Sequence, residues 1–64
     1  MTHEEILQAV QQIEGLGGMT VNERLFASSL MKEFDKAKIN DKEKARLILT
    51  LLQVDKASID EIIK

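Results

Sequence analysis

The residues able to do chemistry are few, and their spacing argues against each candidate in turn. His3 is the only histidine, and it stands beside Glu4 and Glu5 with no second strong ligand at metal spacing. A solvated side chain is the expected role. The run Asp35-Lys36-Ala37-Lys38-Ile39-Asn40-Asp41 superficially resembles a calcium loop, but Ala37, Ile39 and Asn40 stand where two oxygen ligands and an obligatory glycine are required. Ser28 and Ser29 lie inside a helical pattern, with no strand-to-helix elbow to expose a nucleophile and no histidine placed as its base. Cysteine is absent, which excludes disulfides and thiolate metal sites and fits a reducing compartment. The expectation is a protein without enzymatic activity, cofactor, metal or small-molecule substrate.

The glycine turn is the sharper candidate. Ile13-Glu14-Gly15-Leu16-Gly17 followed by a helix partly resembles the helix-hairpin-helix motif, in which a Gly-apolar-Gly turn presents backbone amides to a nucleic-acid phosphate. On that resemblance Gly15, Gly17, Gly18 and Thr20 would bind nucleic acid, and Val21 and Leu25 fall near the motif's apolar helix positions. The sequence departs from it at Glu14, which precedes the turn, and at Gly18-Met19, which replace the usual polar or basic flank. An ordinary helix-ending turn uses the same glycines, because glycine reaches positive φ without a Cβ clash. Lys32, Lys36, Lys38, Lys42, Lys44 and Arg46 gather mid-chain, but Glu33, Asp35, Asp41 and Glu43 are threaded among them, the pattern of a solvated face. Nine basic and eleven acidic residues give a net charge of −2, which offers no general attraction to phosphate backbones or anionic lipid. Nucleic acid is therefore not the expected partner.

Four helices are expected to position these groups. Thr2 and Glu5 have capping-box spacing and open a helix whose Ile6, Ala9, Val10 and Ile13 form one stripe, closed by Gly15, Gly17 and Gly18. Thr20 to Glu23 is a second capping box, with Asn22 an alternative cap that would staple Val21 against Phe26. Phe26, Ala27, Leu30, Met31, Phe34 and Ala37 then share one arc of a continuous helix, at about 100° per residue, and form the expected centre of the core. Val21 and Leu25 point elsewhere, under the glycine turn or against a neighbouring helix. Asn40 to Glu43 caps the third helix, and Asp55, with Val54 and Ile59 at staple spacing, caps the fourth. The third helix is broadly apolar: Ala45, Ile48, Leu49 and Leu52 make a normal stripe, which Leu47, Leu51 and Val54 widen past half the circumference.

Sixty-four residues make a single domain, 1–64, read as all-α: a compact bundle of four short helices near residues 3–14, 21–38, 41–53 and 56–63. Chains this short often complete their core by association. Surplus apolar surface on the third helix points to a protein partner or a homodimer, with Leu47, Leu51 and Leu25 as contact residues. No apolar run approaches membrane-spanning length, and Met1-Thr2-His3-Glu4-Glu5 lacks the basic start of a secretory signal. No membrane association is expected, and a cytoplasmic location is the simplest reading. The stretch Thr20-Val21-Asn22-Glu23-Arg24-Leu25-Phe26, running on to Leu30-Met31-Lys32-Glu33-Phe34-Asp35, resembles a segment of short uncharacterised bacterial proteins that reads VNERL leading to SGLMDEFD. Ser29 stands where that segment has glycine, and Lys32 where it has aspartate. The resemblance implies a bacterial origin and no activity.

Overall fold

Helix starts in this chain are set by side chains that satisfy orphan backbone amides. At Thr2 the hydroxyl accepts from the Glu5 amide at 3.2 Å while the Thr2 amide donates to Glu5 Oε1 at 2.9 Å. Thr20 and Glu23 repeat the arrangement at 3.2 and 2.9 Å. Asp55 accepts from the Ser58 amide at 3.0 Å and from its hydroxyl at 2.7 Å. In the computed structural model, which describes residues 2–64, these caps open α1 (His3–Gln11), α2 (Val21–Ala27) and α5 (Lys56–Ile63). A 3₁₀ turn, Leu16–Gly18, follows α1, and α3 (Met31–Asn40) and α4 (Lys42–Leu51) complete the chain. The described residues contain no strand.

All-helical architecture is as expected, but there are five α-helices among the described residues rather than four. The stretch 21–38 is two helices. Ser29 takes a left-handed φ of 61°, its amide donates to the Phe26 carbonyl, and the Leu30 amide reaches back to the Leu25 carbonyl, both at 3.1 Å. This is a Schellman closure, which satisfies the last carbonyls of α2 and turns the chain. The Ser28 hydroxyl adds a 3.1 Å bond to the same Leu25 carbonyl, a local competitor with helix continuation. A second correction is smaller. Asp41, not Asn40, caps α4: its carboxylate accepts from the Lys44 amide at 3.2 Å, while its own amide closes α3 on the Ala37 carbonyl at 2.8 Å. One residue thus ends α3 and begins α4.

The α4 helix is the centre of the core. It packs against α1, α3 and α5, and Ala45, Ile48, Leu49 and Leu52 are entirely shielded from water. Full burial of each of the three larger side chains contributes roughly 1.5–3 kcal/mol. Ile6 and Val10 come in from α1, Phe34 and Ala37 from α3, and Ile59 and Ile63 from α5. The apolar breadth of α4 is therefore largely used within the chain. Two ion pairs tie its neighbours to it at the surface: Lys44 Nζ to Glu33 Oε2 on α3 at 3.1 Å, and Arg46 Nη1 to Asp60 Oδ1 on α5 at 2.7 Å.

Folding lowers the pKa of every carboxylate that caps a helix by a reciprocal or double bond. The Thr2 amide does so for Glu5, the Thr20 amide for Glu23, and the Ser58 hydroxyl for Asp55; the Lys44 ammonium does the same for Glu33. A group with a depressed folded pKa contributes stability that is complete above its unfolded pKa and is lost as pH falls through the folded value. Lys44, raised by its bond to Glu33, loses its contribution only as pH rises through its folded value, above the usual lysine range. The midpoint of thermal unfolding should therefore be level from about pH 6 to about pH 9 and fall below about pH 4.5. Replacing Glu5 and Glu23 by glutamine, which keeps the cap bond without the proton, should make the acid fall shallower in pH-resolved calorimetry.

Candidate interaction surface

The turn at Ser29 decides what α2 shows to water. With α2 ending at Ala27, its inward side is set by Leu25, 2% exposed, and by half-buried Val21. Phe26 is the next residue, about 100° further round the helix, and it is 80% exposed. The expected place of Phe26 at the centre of the core is thus corrected: the arc that put it there assumed one continuous helix through residues 28 to 30. Leu30, Phe34 and Ala37 keep their core positions, whereas Ala27 is exposed and Met31 only half-buried.

Arg24 holds α2 in this orientation. Its Nε donates to the Met19 carbonyl at 3.1 Å, and Nη1 donates to the carbonyls of Leu52 at 3.1 Å and Gln53 at 3.0 Å. Those last two acceptors lie at the C-terminal end of α4, where unsatisfied carbonyls carry partial negative charge. Gln53 itself has φ 64°, and the Val54 and Gln53 amides close on the carbonyls of Leu49 and Thr50, each at 3.0 Å. The geometry repeats the Ser29 turn. Sequence reasoning gave Arg24 no role, and no local pattern marks it, because two of its three acceptors lie 28 and 29 residues away.

Around Phe26 the surface is apolar and shallow. Met19, Asn22, Glu23, Phe26, Ala27 and Met31 line one groove. A second, which includes Ala9, Ile13, Glu14 and Ser29, shares Met19 and Ala27 with the first. The two meet at Met19 and Ala27 and form one strip from α1 across α2 to the start of α3, mostly apolar around Phe26 and mixed polar and apolar beside Glu14 and Ser29. Its charged lining residues are both carboxylates, Glu14 and Glu23.

The other sites read from the sequence fall elsewhere. Leu25 is corrected as a contact residue, since its side chain is inside the core. Leu47 and Leu51 are half-buried, and Leu51 packs against the core. Gly15 takes φ 72°, and the amides of Gly18 and Met19 are used within the turn, donating to the carbonyls of Gly15 and Leu16 at 3.1 Å. Thr20 caps α2 with Glu23, so a carboxylate of the chain already occupies the helix start where a phosphate would dock. His3 lines a shallow depression with Thr2, Glu4 and Leu7. Among the described residues no three His, Asp or Glu side chains gather as a metal site. No family model, curated protein or solved structure matches this chain.

The orientation of α2 makes adjacent residues energetically opposite. Leu25→Ala should lower the free energy of unfolding by about 2–5 kcal/mol, the cost of truncating a buried leucine, while Phe26→Ala should change it by less than about 0.5 kcal/mol. Urea denaturation of the two variants checks this, and equal losses would place both side chains in the core.

Proposed function

We propose that this domain is a protein-protein interaction module whose partner covers the strip around Phe26. The observation that carries this reading is the exposed Phe26 itself, with Met19, Ala27 and Met31 gathered beside it. Single exposed apolar residues are common on soluble proteins, but contiguous patches mark contact surfaces. Aromatic and methionine side chains are the types enriched at the centre of interfaces. Methionine also adapts its shape to an incoming surface. One of the two phenylalanines of the chain is spent on this patch while the other is in the core.

The strip takes precedence over the outer side of α4. Leu47 and Leu51 offer less surface, because α4 has neighbours in α1, α3 and α5. Catalysis has no part in this reading, in which a folded scaffold presents a rigid apolar strip. No helix among the described residues is long and apolar enough to cross a membrane, and a cysteine-free domain suits a reducing cytoplasm. The VNERL segment supports a bacterial one.

Site-specific photo-crosslinking tests the reading. A benzoyl-phenylalanine at position 26, expressed in the native host, should give one discrete adduct that is absent when the same probe replaces Ile39, a residue just as exposed at 83%. Adding Met31→Asp to the position 26 probe should remove the adduct. The same products from both positions would contradict it.

A further inference from the structure

The charges that border the strip say what kind of partner fits it. Among the described residues, both ionisable side chains lining the two grooves are carboxylates, Glu14 and Glu23, and no lysine or arginine lines either groove. The nearest guanidinium, Arg24, is turned to the carbonyls of Met19, Leu52 and Gln53. Lys32 follows Met31 in the chain but lines neither groove. The Thr20 amide, which donates to Glu23 Oε1, lowers the Glu23 pKa and so favours its charged form.

We infer that the occupant of this strip is a cationic amphipathic helix of another protein, its apolar side chains on Phe26, Met19 and Met31 and its lysines or arginines against Glu14 and Glu23. The inference rests on the reading of the strip as an interaction surface. A shallow apolar groove with methionine walls suits helix-in-groove recognition, in which side chains at one-turn spacing act as anchors. A second copy of this chain is the poorer occupant. Two-fold pairing through the strip would set the same patch on each subunit against the other, bringing four carboxylates together with no basic side chain among the lining residues to offset them. Like charges so placed oppose association, and complementary ones speed and orient it.

The test uses the whole chain with labelled methionine and alanine methyls, and three short synthetic helices of identical leucine spacing whose polar positions are lysine, serine or glutamate. The leucine-lysine peptide should shift the methyls of Met19, Ala27 and Met31, bind most tightly of the three, and weaken with added salt. The double variant Glu14→Gln, Glu23→Gln should weaken it about fivefold to tenfold, the scale of two partly exposed ion pairs. Glutamine keeps an acceptor for the Thr20 amide, so the α2 cap bond is retained. Equal or tighter binding of the serine or glutamate peptide at the same methyls would overturn the cationic partner and leave the interaction surface standing. So would a dimer in sedimentation that disappears with Phe26→Asp. Lysine-peptide shifts confined to other acidic regions, such as Glu43 and Glu61, would overturn the assignment of the partner to this strip. A monomer whose strip methyls move with none of the peptides would sink both.

Discussion

The bond from the Leu30 amide to the Leu25 carbonyl, made possible by the left-handed backbone of Ser29, governs which side chains this chain buries. Without it, residues 21 to 38 would run on as one helix, with Phe26 and Phe34 on the same side. With it, α2 stops after two turns, and Leu25 and Leu30 both enter the core. Phe26 is left outside. A left-handed L-residue costs roughly 1–2 kcal/mol, so the turn persists only because the buried leucines and the closed carbonyls offset that cost. The apolar strip is a consequence of this exchange.

The same closure recurs at Gln53, and Arg24 joins the two. From α2 the guanidinium reaches the carbonyls released at the end of α4, so the helix ended by the first turn is fastened to the carbonyls opened by the second. Charge-assisted bonds to neutral carbonyls are among the stronger hydrogen bonds available to a small domain. Their partner, α4, is the helix with the most completely buried stripe. Orientation of α2, exposure of Phe26 and solidity of the core are in this way one linked arrangement. The proposed contact strip lies on the helix that these bonds fasten to α4, and a pre-ordered strip would favour binding without reordering.

Much of this architecture was legible in the sequence. Thr2 with Glu5, Thr20 with Glu23, and Asp55 ahead of Ile59 announce helix starts through side-chain chemistry alone, and each stands where expected. The breadth of the α4 stripe reads as surplus surface for a partner, and most of it is covered instead by α1, α3 and α5 of the same chain. Serine at position 29 concealed the main event. Glycine there would have declared a positive φ. A wheel drawn through an unseen break rotates every residue beyond it, which puts Phe26 in the core arc and leaves Leu25 divided between packing under the glycine turn or on a neighbouring helix and contacting a partner; Leu25 is buried and Phe26 is not. Arg24 was invisible for a different reason: its bonds to Leu52 and Gln53 span nearly half the chain, and no periodicity reports them.

Inversion of a single stereocentre tests the account most directly. A D-residue favours the left-handed backbone that an L-residue resists, and the exposed side chain of Ser29 leaves room for the inverted centre. A chain of this length is accessible to chemical synthesis, and D-serine at position 29 should raise the free energy of unfolding by about 1 kcal/mol, or roughly 4–8 °C in the thermal midpoint. A fall of similar size is the response of a residue in the interior of a right-handed helix. It would mean that α2 and α3 are continuous, that Phe26 belongs to the core, and that the strip does not exist.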